Sequence, residues 1–413
     1  MHVVVVGAGI IGACSAVRLV ERGHRVTVVD RLPPGEACSF GNAGALIPSA
    51  CVPDSMPGML SRVPGWLLRD DGPLTIRWRY LPRLVPWLVQ FVRAGHPDRI
   101  GPTADALHAL HASTVEEYQA LVDAAGTPEL VRASDVYVVY GSDASYRGSL
   151  TGWRLREAHG ARTDHIDGAT LREAIPALSP RYVRAVRMRD QAYTVDPSRL
   201  VKALTELAVR LGATLHPGEV GGMEHRDGRV TAVRVNGDRL EADAVVIAAG
   251  AWSASLARQI GVDVPLGTKR GYHVTAPSPG FDLPCPVSEA ECGFYATPMS
   301  MGVRFAGTVE LSGLEAPPEP ARSRNIERMA KRMFPALDTT GATRWMGCRP
   351  AMPDGLPVIG RSPTVSNAFV AFGHGHCGMI GGPTTGRMVA SLVHGDTPNV
   401  DVRPYAPTRF RAR

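Results

Sequence analysis

Residues 2–31 read HVVVVGAGIIGACSAVRLVERGHRVTVVDR, and the order of their apolar runs and glycines decides the fold class. Val3 to Val6 is a β-branched run ended by Gly7, and Ile10 to Arg22 has the apolar spacing of a helix packed on a sheet, stopped by Gly23. Arg25 to Asp30 is a second strand of the buried type. The first thirty residues therefore form a βαβ unit, which makes the fold class α/β.

Between strand and helix lies Gly7-Ala8-Gly9-Ile10-Ile11-Gly12, a G-x-G-x-x-G in the context that gives the pattern weight. Gly7 permits the tight turn, Gly9 lets a pyrophosphate approach the backbone, and Gly12 lets helix and strand pack closely. The helix N-terminus at Ile10 and Ile11 then offers free N–H groups to phosphates. Asp30, ending the next strand, places a carboxylate for the adenosine ribose hydroxyls, which disfavours a 2′-phosphate. Gly373-x-Gly375-x-x-Gly378 repeats the pattern after a strand over 368–372, but only 35 residues follow Gly378 and none of them builds a second βαβ unit. One dinucleotide site is expected.

At 413 residues and 44% hydrophobic content, the chain has length for two or three domain-sized units. The net charge of +6 suits a carboxylate substrate or an anionic surface, while the scattered Arg and Lys, without an aromatic-interleaved patch, argue against nucleic acid. Cys14, Cys38, Cys51, Cys285, Cys292, Cys348 and Cys377 are odd in number, widely spaced and without a CxxC pair, so reduced thiols in a cytoplasmic protein are expected. The N-terminus lacks the charged start of a signal peptide, and no apolar stretch approaches the ~20 residues of a membrane span.

Farther along, Pro53 to Pro102 is rich in Pro, Trp and Arg (Trp66, Trp78, Trp87) and reads either as short helices covering the core or as a peripheral contact at the inner membrane face. Thr103 to Ala125 has the pattern of one amphipathic helix, and Val136 to Tyr140 that of a strand. Asp196 is an N-cap before Pro197, starting a helix that runs to about Leu211. Runs at 213–220, 230–235 and 244–249, separated by Asp227-Gly228 and Asn236-Gly237, read as a β-meander feeding a buried strand. A helix is expected near 326–334, after the Pro-rich linker 317–320. His374, His376 and Cys377 crowd one glycine turn in a spacing unlike a zinc site, so no metal is expected.

The opening stretch is joined by Ser39-Phe40-Gly41-Asn42-Ala43-Gly44, AVVIAAGAW at 244–252, Lys269-Arg270-Gly271-Tyr272, GCRPAMPDGLPVIGRS at 347–362 and GHGHCGMIGGPTTG at 373–386. In this order they resemble the D-amino acid oxidase superfamily of flavoproteins, and most of all bacterial D-amino acid dehydrogenases, over nearly the whole chain. The resemblance implies a Rossmann-like FAD-binding domain from interleaved segments (1–95, 195–265, 340–413) and a substrate domain with a mainly antiparallel sheet (96–194, 266–339). It assigns Asp30 and Arg31 to the adenosine side, and Ser39, Asn42, Ala43 and Gly44 to the pyrophosphate and flavin edge. The backbone of Val220 falls to adenine, with Ala249, Gly250 and Trp252 closing over the ligand. Gly375, His376, Gly378, Met379 and Ile380 fall to the pyrimidine end of the flavin, where a helix N-terminus stabilises developing negative charge.

Arg349 matches the family arginine that grips a substrate carboxylate, for which a guanidinium offers two parallel hydrogen bonds. Tyr272 and Tyr295 are candidates to complete that pocket. Arg304 lies near the place where some relatives hold a cation by flavin N5, with its register open by one. Gly347 stands where sarcosine oxidases tether flavin through cysteine, which implies non-covalent FAD. The implied reaction is oxidative deamination of a small amino acid: hydride passes from the carbon beside the amine to flavin N5, and the imine hydrolyses to a 2-oxo acid. Glycine, sarcosine, hydroxyproline and N-carboxymethyl amino acids remain alternative substrates, and a flavin-bearing subunit of a heteromeric complex is an alternative of another class. The acceptor, oxygen or a quinone, and the oligomeric state stay open, with the Trp-rich segment favouring the quinone.

Overall fold

Strand His2–Val6 is wholly buried and pairs in parallel with Arg25–Asp30 on one side and Ala244–Ile247 on the other. Its β-branched residues suit a sheet covered on both faces, and each fully buried Val contributes roughly 1.5–3 kcal/mol. Thr214–Pro217 and Ala368–Phe372 extend the sheet in parallel, and Val358–Arg361 closes one edge antiparallel. The computed structural model describes residues 1–61, 63–68 and 72–410. Helices Ile10–Glu21, Pro197–Arg210 and Gly378–His394 share the core on one face. The first and last approach closely through glycine: a Cβ on Gly386 would lie 2.7 Å from the Cys14 backbone.

Asp196 caps its helix as expected, Oδ1 accepting from the N–H groups of Ser198 and Arg199 at 3.0 and 3.1 Å. The meander is a three-stranded antiparallel sheet, Val220–Arg226, Arg229–Val235 and Asp238–Glu241. Its turns use Asp227-Gly228 and Asn236-Gly237, all four at positive φ, as a type I′ hairpin requires. The expected helix over 103–125 is two, Pro97–His111 and Thr114–Ala125. The break falls where the Thr114 hydroxyl donates to the carbonyls of His111 and Ile380, a local bond that competes with helix continuation.

The second large element is a ten-stranded mixed sheet whose main path runs Thr343–Ala351, Gly267–Ala276, Gly302–Leu311, Phe294–Met299, Val287–Glu289, Val131–Tyr140, Arg184–Thr194 and Ala45–Leu46. Leu74–Ile76 and Thr163–Asp167 pair at its margins, and helix Pro320–Met333 packs on one face. The division of the chain differs from the expected boundaries. Residues 45–46, 74–76 and 343–351 belong to this sheet, whereas helices Pro97–His111 and Thr114–Ala125 pack with the core of the parallel sheet. Sheet membership is decided by hydrogen-bonding partners far apart in sequence, which local patterning does not encode.

Candidate active site

The loops after four parallel strands, at 7–12, 31, 248–252 and 373–378, open on one crevice, the place where such sheets bind ligands. A cavity of about 1240 Å³ runs from there to the ten-stranded sheet. Gly7 has φ +115°, and a Cβ on it would come 2.4 Å from the Ala248 carbonyl oxygen. A Cβ on Gly12 would lie 1.8 Å from the Gly7 carbonyl oxygen, so Gly12 serves packing and does not line the cavity. At Gly9 the nearest atom would be Ser39 Oγ at 3.5 Å, which leaves that face open.

Ser39 Oγ accepts from the Ile10 N–H at 3.1 Å, and Ile10 and Ile11 both line the cavity. The Asp30 carboxylate braces the glycine loop, accepting from Ala8 N at 2.7 Å and Leu32 N at 2.9 Å, and also borders the cavity. Arg31 stacks over Trp252 at 4.9 Å, with Val220, Ala249 and Gly250 beside them on the lining. Asn42 and Ala43 line it too. Gly44 does not: at φ +79° it is pressed against Met299 and the Thr194 carbonyl, and its N–H donates to Asn42 Oδ1 at 2.8 Å.

Across the crevice, Gly375, His376, Gly378, Met379 and Ile380 are all lining residues. The Gly375 N–H donates to the Pro350 carbonyl at 2.6 Å, tying this loop to the strand that carries Arg349. Neither helix that starts here, at Ile10 or Gly378, has a side-chain N-cap of its own. Two helix N-termini whose cap residues make no side-chain bond among the described residues, with Ile10 N–H alone held by Ser39 Oγ, and a glycine face without cover fit a dinucleotide with a flavin at its end.

On the sheet side, Arg349 and Tyr295 line the cavity. Burial lowers the Arg349 guanidinium from its ordinary value, opposed by Cys38 and Asp54. Its hydrogen bonding to protein, among the described residues, is Nη1 to the Thr308 carbonyl at 3.0 Å. Burial raises the Tyr295 phenol, so it stays a neutral donor. Tyr272 lies elsewhere, which corrects the expectation. Along Gly267–Ala276, Lys269 and Gly271 face the cavity and Arg270 and Tyr272 face away, as strand alternation demands. The Tyr272 hydroxyl donates to Glu310 and accepts from Glu319 N at 3.0 Å, while fully buried Arg270 donates to the carbonyls of Gly313, Leu314 and Pro317. Both knot the loop behind the pocket.

Asp54, unnoticed in the sequence, joins Lys269 at 2.6 Å and His376 at 3.8 Å. Against the cost of its burial, Lys269, His376 and Arg349 hold its carboxyl well below the usual range. The Cys377 sulfur and Asp54 hold the His376 imidazole up at about 9, whereas burial pushes His374 down to about 3. No motif marked Asp54: it is a lone acid in a Pro-rich stretch. The Lys269 ammonium lies 5.6 and 5.0 Å from the rings of Trp87 and Phe91, part of an apolar wall with Trp66, Ile76 and Leu88. The Trp-rich segment thus covers the cavity. Arg304 is outside the lining; its Nη1 clamps the carbonyls of Phe40 and Asn42 at 2.8 and 2.9 Å.

Comparison with known proteins points the same way. A family profile described as FAD dependent oxidoreductase (DAO) matches residues 2–392. The chain is 36% identical to a D-amino-acid oxidase of Bradyrhizobium diazoefficiens, covering 99% of both chains. It is 31% identical to a D-amino acid dehydrogenase of Methylobacterium radiotolerans, covering 100% of both. Among solved structures, glycine oxidase from Geobacillus kaustophilus superposes with a TM-score of 0.75 at 24% identity over 99% of each chain, a likeness of fold.

Proposed function

The chain belongs to the DAO family of FAD-dependent oxidoreductases, and on that premise we propose that it oxidises a D-amino acid at the carbon bearing the amine, the imine then hydrolysing to a 2-oxo acid. The observation that carries this reading is Arg349, a half-buried cation on the cavity wall that spends one bond on protein among the described residues and keeps the rest of its five donors for a carboxylate. FAD, when bound, supplies the hydride acceptor.

The chain's own residues bind and orient. Gly7 to Ile11, Asp30, Arg31, Ser39, Asn42 and Ala43 would hold the nucleotide and pyrophosphate, and Gly375 to Ile380 the ring system. Arg349 would fix the carboxylate through paired N–H bonds, with Tyr295 a second donor on the same cavity, so that the carbon beside the amine is oriented. Lys269 is the cross-strand partner of Arg349, so the wall of Trp87, Leu88 and Phe91 begins one side chain away from the anchor and favours an apolar substrate side chain. Non-covalent FAD is supported at Gly347, whose Cβ position is filled by the Trp345 ring, and at Cys348, whose sulfur turns to the Leu314 carbonyl.

The acceptor in this reading is a membrane quinone reached by peripheral contact. Trp78, Val85 and Val89 are exposed and lie outside the cavity lining, on the segment that covers the cavity, and no helix among the described residues is long and apolar enough to cross a membrane. Protein washed free of membranes should reduce a dye faster than it consumes oxygen; the opposite order removes the quinone. For the main reading, the flavin of the anaerobic protein should bleach with apolar D-amino acids. Arg349→Ala should lower kcat/KM for them roughly 100-fold or more, as loss of a buried charge-assisted pair does, with flavin still bound. Unchanged kcat/KM would sink the carboxylate assignment.

A further inference from the structure

Beneath Arg349 the sheet is irregular, and the role assigned to that irregularity rests on the reading of Arg349 as the carboxylate anchor. Strand Gly302–Leu311 pairs with Gly267–Ala276 as Ala306 with His273 and Gly307 with Tyr272, then steps to Glu310 with Arg270. Thr308 and Val309 therefore stand opposite Gly271 alone, which is a β-bulge. Thr308 bears two unfavourable features at once. Its φ of +59° lies in the left-handed region that β-branched residues avoid, and its buried hydroxyl has no hydrogen-bond partner among the described residues.

The bulge turns one carbonyl. In an unbroken ladder it would be directed to a neighbouring strand, whereas here the Thr308 carbonyl accepts from Arg349 Nη1 at 3.0 Å. Gly271 supplies the space beside it: a Cβ there would lie 2.0 Å from Arg349 Nη2 and 2.2 Å from Cζ. Past the bulge the strand takes a further partner, Val309 N donating to the Pro73 carbonyl at 2.7 Å, which holds the distortion from the other side.

We infer that Thr308 and Gly271 form a positioning seat that fixes a single orientation of the Arg349 fork toward the substrate carboxylate. Neither residue acts on the reacting atoms; both act through Arg349. Backbone strain retained at one point of a sheet, beside the anchor of the pocket, is where strain serves a site.

The test compares a D-amino acid with its amide, which lacks the carboxylate charge, on the flavin-bound protein. Gly271→Ala should raise KM for the acid roughly 10- to 100-fold, the scale of a misplaced binding group, and far less for the amide, with flavin content retained. Thr308→Pro, whose ring holds φ near −65°, should give the same acid-selective rise. In the Arg349→Ala background, Gly271→Ala should add nothing. Equal rises for acid and amide, or a further rise without Arg349, would overturn the seat. If Gly271→Ala does not fold alone, free guanidinium added to Arg349→Ala and to Arg349→Ala/Gly271→Ala proteins, where the Cβ meets no arginine, decides: rescue of the first and not the second supports the seat, and equal rescue overturns it. Should Arg349→Ala itself leave turnover of the acid unchanged, the carboxylate reading has failed; should it abolish turnover while Gly271→Ala changes nothing, only the seat has.

Discussion

At the wall of the cavity built from the loops of the parallel sheet three glycines leave backbone packed or bare, while at the wall built from the ten-stranded sheet long side chains stand. Gly7 and Gly12 are packed so closely that a methyl group would sit 2.4 and 1.8 Å from carbonyl oxygens, and Gly9 is bare toward the crevice. Opposite them stand Arg349, Lys269, Tyr295 and Trp345. In the proposed reading the first wall would recognise by backbone N–H groups at helix ends, a means common to proteins that cradle a pyrophosphate. The second would recognise by placed charges and rings, whose placement depends on strand register and one bulge.

The contrast between the walls breaks most sharply at Gly12. Gly12→Val inserts branched carbons where none fit, and it should leave no yellow soluble protein, since even modest overpacking costs about 1–3 kcal/mol and this one meets backbone. A normal flavin spectrum from that variant would show that the glycine wall has slack. A smaller change tells the two tyrosines apart. Tyr272→Phe should lower stability by about 1–3 kcal/mol, because Glu310 and the Glu319 N–H lose a buried partner, and should move the melting temperature more than KM. Tyr295→Phe should do the reverse, raising KM with little change in melting. Exchanged outcomes would return Tyr272 to the pocket.

The smallest expected effect is one of pH. His376 is held up at about 9 against an ordinary 6.5, so its contribution to stability is complete below about 6.5 and is lost as pH rises through 9. Melting of the flavin-bound protein should fall over that window, and His376→Gln should flatten the fall. An identical slope in the variant would remove His376 from the charged cluster with Asp54 and Lys269.

Legibility in the sequence divides along the same line. The βαβ unit, the turn at Gly7 and the cap at Asp196 depend on residues a few positions apart, and local sterics and hydrogen bonding carry them. Tyr272 misled because KRGY marks a strand without saying which of its faces meets the cavity. Asp54 was invisible because its partners, Lys269 and His376, are brought to it from the two sheets.

By itself the sequence determined the α/β class, the glycine cradle, the type I′ turns and the family, since these rest on conformations that only certain residues adopt and on motifs kept in order. Tertiary structure alone decided which segments share a sheet, that Arg270 and Tyr272 tie down a loop while Lys269 and Gly271 face the cavity, and that Thr308 turns its carbonyl to Arg349. The physical reason is register: an extra residue in a strand reverses which side chains meet the site, and pairing partners tens to hundreds of positions away determine where that residue goes.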